Sequence, residues 1–165
     1  MHFALIDCIL SRTPDSLVAI KHVSLAEEYL QDHFPGFPIL PGVLMLEAMV
    51  QAGRELVRAH PQADGRVVLG QVRALKYGTF VKPGRTIRIE VSLLKVVGGK
   101  PGEPSAPGEP GEAGEAASFE FKGEVLLLPQ VLVGQVSGAG GAVAAPVAAA
   151  SGRFTLRPVR TSVIR

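Results

Sequence analysis

A chain of 165 residues is one domain's worth and long enough to bury a core. Its 17 basic and 15 acidic residues leave a net charge of only +2, too small to argue for a nucleic-acid binder, and no recognition motif for one occurs. The single cysteine, Cys8, excludes an internal disulfide and a cysteine-only metal site, and the four histidines lack the spacing of zinc ligands.

The chain begins without a basic region or an uninterrupted apolar run, because Asp7 falls early, so no signal peptide is expected and the cytoplasm is the default. Residues 3–10 form a compact apolar run suited to a buried strand. Arg12-Thr-Pro-Asp-Ser16 has turn chemistry, and Leu17 to Val23 alternates loosely, predicting a hairpin between the two runs. Ser24 and Glu27 have the form of a capping box, so 25–30 reads as one helical turn. Pro35, Pro38 and Pro41 each fix φ and withhold an N–H, making 34–41 a constrained loop. Gly42 then releases into Val43 to Arg58, proline-free and rich in helix formers, with Pro61 marking the end.

Beyond the helix, Arg66 to Tyr77 reads as strand, Lys82-Pro-Gly84 as a turn, and Thr86 to Val97 alternates clearly. Residues 98–117 change character to Pro-Gly-Glu repeats, which bury too little apolar surface to offset their ordering entropy and have no strict collagen period. Ser118 to Leu127 alternates again. From Val125 to Gly152 no residue is charged, but Pro129, Pro146 and the Gly138–Gly141 cluster oppose a membrane span. A second low-complexity insertion is therefore expected at about 129–150, followed by a last strand from Arg153 to Pro158. Strands, one long helix and more strands predict one α+β domain over 1–165, an antiparallel sheet with a helix on one face.

Chemistry concentrates between His33 and Gln51. The first turn of the helix is apolar on nearly every side, and into it the sequence sets one carboxylate, Glu47. Gly42 and Val43 open the helix, where unpaired N–H groups and partial positive charge can polarise an oxygen. An imidazole, a carboxylate among apolar neighbours and a helix start together suggest acid–base chemistry beside a carbonyl. The competing reading is structural. A lone loop histidine is usually solvated, and Glu47, Gln51, Glu55 and Arg58 recur at helical spacing, as one solvated stripe would. Two stretches of basic residues without acids, Arg66 to Arg88 and Arg153 to Arg165, are either ordinary strand faces or a dock for an acidic partner.

His33-Phe-Pro-Gly36, Pro41-Gly-Val-Leu44, Leu46-Glu-Ala-Met49 and Gln51 closely resemble the signature of the hot-dog-fold 3-hydroxyacyl-[acyl-carrier-protein] dehydratases of fatty acid synthesis. The fourteen-residue step from His33 to Glu47 matches that family's catalytic pair, and a weaker likeness extends over residues 3–97. Asp32 stands where the family usually has glycine, and Phe80 where it usually has proline. The resemblance implies a curled sheet wrapped around a central helix, working as a homodimer or higher homo-oligomer whose sites each take His33 from one subunit and Glu47 from the other. It implies dehydration of a 3-hydroxyacyl thioester to the trans-2-enoyl thioester. His33 is then the base at the carbon next to the carbonyl, and the Gly42 and Val43 end of the helix the carbonyl-binding element. Glu47, in surroundings that favour its neutral form, is the acid for the departing hydroxyl, and Gln51 a support for Glu47 or a water. The substrate arrives on the phosphopantetheine arm of acyl carrier protein, with no metal or redox cofactor and no nucleic-acid or membrane partner. A hot-dog acyl thioesterase, or a non-catalytic acyl-thioester-binding or scaffold subunit, is the alternative. A dehydratase type that also isomerises its product resembles this pattern with aspartate at position 47, so glutamate leans away from it.

Overall fold

The alternation along residues 17–23 and 86–97 is realised as two adjacent strands, and the sheet grows outward from them. The computed structural model describes residues 3–63, 66–98, 117–130 and 144–159. Its elements are β1 (Cys8–Arg12), β2 (Ser16–Val23), α1 (Gly42–Val57), β3 (Val67–Tyr77), β4 (Arg85–Val97), β5 (Ser118–Leu127) and β6 (Val147–Pro158), with a 3-10 turn at Glu28–Leu30. The strands form one six-stranded sheet in the order β1-β2-β4-β5-β6-β3, antiparallel at every pairing. The sheet curls around α1, which touches β2, β3, β4, β5 and β6. This is the expected α+β hot-dog architecture.

Period-two alternation decides the core face of each strand. Leu17, Ala19 and Val23 of β2, Ile87, Ile89 and Val91 of β4, Phe119, Phe121 and Val125 of β5, and Phe154 and Leu156 of β6 are all buried. Against them α1 turns Met45, Ala48, Met49, Val50, Ala52, Leu56 and Val57. Two glycines let helix and sheet come close. A Cβ on Gly123 would lie 2.6 Å from the Met49 sulfur, and one on Gly53 would lie 3.2 Å from both Leu156 and Phe154.

Three expectations about elements need correction. The opening strand begins at Cys8, not at residue 3, because the backbone from Phe3 to Leu5 exchanges hydrogen bonds with the Gln51 side chain of the helix instead of with a strand. The capping box does not form: Glu27 pairs with Lys21 at 2.8 Å, and Ser24 Oγ accepts only the Ala26 N–H. The last strand starts at Val147, so the end of the second insertion belongs to the sheet, with Ala149 and Ala150 in the core. Small side chains hide a strand in a low-complexity stretch, because alanine carries no strand signal of its own. The remainder of both insertions, 99–116 and 131–143, lies outside the described residues. No described helix is long and apolar enough to cross a membrane.

Candidate active site

The proline loop folds back on itself to present His33. Phe34 and Phe37 exchange backbone hydrogen bonds at 3.1 and 2.9 Å, and the Ile39 N–H donates to the His33 carbonyl at 2.9 Å. Gly36 makes the reversal possible at φ +75°, a conformation that side chains disfavour. The His33 ring then lies with Nδ1 2.9 Å from the Ile39 carbonyl oxygen. A carbonyl only accepts, so Nδ1 carries the hydrogen and the neutral ring keeps its lone pair on Nε2. The ring stacks on Phe34 at 4.2 Å between centroids.

Downstream, Leu40 donates to the Val81 carbonyl at 2.8 Å, which anchors the loop to the segment before β4. Pro41 caps α1 without a side-chain bond, and its carbonyl accepts the Leu44 and Met45 N–H groups. The Gly42 and Val43 N–H groups have no acceptor among the described residues. They are the free donors of a helix N-terminus, where oxygen of partial negative charge is favoured. A Cβ on Gly42 would lie 2.8 Å from two carbons of the Tyr77 ring, so a side chain there would have to displace that ring. Val43 itself is 68% exposed. Phe34, Phe37, Tyr77 and Phe80 are exposed as well.

Glu47 departs from expectation in its surroundings. Its carboxylate is not enclosed by apolar groups; the side chain is 34% exposed and pairs with Arg54 at 2.9 Å. Gln51 Nε2 donates to the same oxygen, Oε1, at 3.3 Å. Helix residues project over the preceding turn, so four and seven residues bring both side chains onto the face of Glu47. Gln51 is occupied on its other side too. Its Oε1 accepts the Leu5 N–H and its Nε2 donates to the Phe3 carbonyl, each at 2.9 Å. One amide thus ties the N-terminal segment to the helix and touches Glu47.

That segment is held from its other end by a charge cluster absent from the sequence reading. Lys21 is buried, with Nζ 3.0 Å from Asp7 and 2.8 Å from Glu27. The second Asp7 oxygen accepts the His22 N–H at 2.7 Å. Burial pushes the Asp7 carboxyl up, but the His22 N–H and the Lys21 ammonium outweigh it and hold the group below its ordinary value. For Lys21, burial pulls down, and Glu27 and Asp7 more than restore it. Tyr29, against Phe3, is pushed up to about 12 by burial first and then by Glu27.

Phe3, Ala4, Ile6, Asp7, Glu47, Gln51 and Arg54 line an open cleft of about 770 Å³. His33 does not line this cleft. The residue missed by sequence reading is Arg54. Its signal was present, since seven residues are nearly two full turns and set Arg54 closer to the azimuth of Glu47 than Glu55 is. Among the described residues no cluster of three or more metal-ligating side chains occurs. The basic stretches resolve differently from one another: Arg88 pairs with Glu90 at 2.8 Å, and Arg85 donates to the Leu128 carbonyl. Arg73, Arg153 and Lys122 instead lie side by side on one exposed rung of β3, β6 and β5.

A six-stranded antiparallel sheet curled around one helix, with a histidine loop leading into that helix and a glutamate within it, defines a hot-dog protein of the dehydratase kind. Residues 10–98, more than half of the chain, match the family described as ApeI-like, ApeI dehydratase. The chain is 44% identical over 94 residues to the 3-hydroxyacyl-[acyl-carrier-protein] dehydratase FabZ of Latilactobacillus sakei subsp. sakei, covering 56% of this chain and 67% of that relative. It is 40% identical over 98 residues to FabZ of Desulforamulus reducens, covering 58% and 69%. The dehydratase heterocomplex ApeI:P from Xenorhabdus doucetiae shares the fold, with a TM-score of 0.52 at 12% identity over 95% of this chain and all of that one. This chain belongs to the FabZ and ApeI-like dehydratase family.

Proposed function

We propose that this protein is a hydro-lyase that converts 3-hydroxyacyl-[acyl-carrier-protein] to the trans-2-enoyl thioester in fatty acid biosynthesis. The support is the sequence match to FabZ relatives together with one geometric observation, the Nδ1–Ile39 bond that leaves His33 Nε2 as a base. Nε2 takes the proton from the carbon next to the thioester carbonyl, the electron pair moves toward that carbonyl, and the C–O bond to the 3-hydroxyl breaks. Glu47 gives its proton to the departing oxygen, which leaves as water. The Gly42 and Val43 N–H groups bind the carbonyl oxygen while enolate charge develops. These proton transfers ask for no metal or redox cofactor, and the acyl group comes on the phosphopantetheine arm of its carrier.

His33 lies outside the Glu47 cleft of its own chain, which favours a homo-oligomeric unit whose sites join His33 of one subunit to Glu47 of another. The exposed rung of Arg73, Arg153 and Lys122 suits an acidic carrier protein. We take the chain as one domain, 1–165, acting in the cytoplasm. The test is hydration of a crotonyl or longer enoyl thioester, followed as loss of absorbance, beside a free-thiol assay. Hydration without thiol release is expected. Thiol release without hydration would make the protein a thioesterase, and neither activity would leave it a binding or scaffold subunit.

A further inference from the structure

Arg54 belongs to none of the motif positions, yet it makes the shorter of the two hydrogen bonds to Glu47. We propose that Arg54 is a positioning residue: by holding Oε1 of Glu47 it reserves Oε2 as the oxygen that carries the acidic proton to the substrate hydroxyl. This rests on the dehydratase reading and deepens it. A protonated carboxyl can bear its hydrogen on either oxygen, and only one of them faces a given leaving group. Here Oε1 accepts from Arg54 Nη1 at 2.9 Å and from Gln51 Nε2 at 3.3 Å, while Oε2 has no partner among the described residues. Both partners are donors that cannot accept, so a hydrogen on Oε1 would point at another hydrogen. The proton therefore belongs on Oε2.

Gln51 cannot hold this arrangement alone. Its Nε2 also serves the Phe3 carbonyl at 2.9 Å, and its bond to Glu47 is the longer one. The Arg54 bond is charge-assisted and comes from the rigid helix that carries Glu47. Both side chains are 34% exposed, and a contact that open to solvent adds little to stability, whether Glu47 is ionised or carries its proton. A large change in rate on losing Arg54 therefore has to come from the chemistry and not from the fold.

The experiment uses the full chain and a 3-hydroxyacyl thioester. Arg54→Ala should lower kcat about tenfold to a hundredfold, the scale of a misoriented catalytic group, with KM within about twofold and an unchanged melting temperature. Arg54→Lys should recover most of the loss, and Arg54→Gln, which keeps an N–H donor, part of it. Guanidinium chloride at low millimolar concentration should revive the alanine variant where sodium chloride does not. In a Glu47→Gln background, Arg54→Ala should add no further loss. If the alanine variant does not fold, the lysine and glutamine variants carry the same comparison. Wild-type kcat in Arg54→Ala, or a loss confined to KM, overturns the positioning role while the dehydratase reading stands. Wild-type protein without any dehydration overturns that reading, and the role falls with it.

Discussion

Gln51 is where fold and chemistry meet, so replacing it separates the two. Gln51→Leu keeps the volume of the side chain but removes three hydrogen bonds: Leu5 N–H to Oε1 at 2.9 Å, Nε2 to the Phe3 carbonyl at 2.9 Å, and Nε2 to Glu47 at 3.3 Å. Leu5 is 1% exposed, so its N–H loses its acceptor in a dry place. A buried backbone group left unpaired costs about 1–3 kcal/mol. The Phe3 carbonyl and Glu47 border the open cleft, where water can replace the amide, so their shares fall toward the low end. Together the loss should be about 2–4 kcal/mol, or a melting temperature lowered by roughly 6–15 °C in a domain of this size. Urea unfolding followed by circular dichroism measures it. Gln51→Glu makes the contrast, because it keeps an acceptor for Leu5 but gives up both donors and sets a second carboxylate beside Glu47. It should lose less stability than the leucine variant and more activity. If Gln51→Leu unfolds within about 0.5 kcal/mol of wild type, the tie between the N-terminal segment and α1 is not what holds that segment.

His33→Ala and Glu47→Gln should each lower dehydration at least about a hundredfold with the fold intact, and a wild-type rate in either variant would refute its assigned role. Unfolding the two variants together and refolding them should restore about a quarter of wild-type activity, since about half the dimers would then be mixed with one intact site each; no recovery in proven mixed dimers would place both residues in one subunit. Stability should be level from neutral pH to about 9.5 and fall as the pH climbs past 10. The folded protein keeps the Tyr29 proton toward about 12 against an ordinary 10.0, and holds the Lys21 proton above 10.5, whereas the unfolded chain releases both earlier. Tyr29→Phe should flatten part of that fall without loss at neutral pH, because the Tyr29 hydroxyl is buried and has no hydrogen-bond partner among the described residues; an unchanged alkaline midpoint would remove Tyr29 from the account. Replacing residues 99–116 by a short turn should leave stability and activity nearly intact, because Val97 and Ser118 are already paired neighbours and closure cost grows slowly with length; lost dehydration in a folded deletion variant would assign that stretch a function.

Much of this molecule is legible in one dimension, and the reason is periodicity. Alternation in β2, β4 and β5 marks the core face residue by residue, and a proline-free run of helix formers after Pro41-Gly42 starts α1 within one residue of where it is found. The spacing of His33 and Glu47, the glycine at the helix start and Gln51 on the same helix face as Glu47 are likewise properties of the chain itself. Local signals fail where a partner far along the chain decides the outcome. Phe3 to Leu5 looks like strand but spends its backbone hydrogen bonds on Gln51, and Glu27 leaves its capping role for Lys21. Nothing in the alanines at 148–150 announces a strand; they become one because β5 and β3 offer hydrogen bonds on both sides. The environment of Glu47 is the clearest case. Its sequence neighbours are apolar, yet on a helix the neighbours in space are three, four and seven residues away, and there stand Gln51 and Arg54. The identities of the candidate groups belong to the sequence, while which oxygen or nitrogen of each is free belongs to the tertiary fold, because only folding brings the carbonyl of Ile39 to His33 and the guanidinium of Arg54 to Glu47.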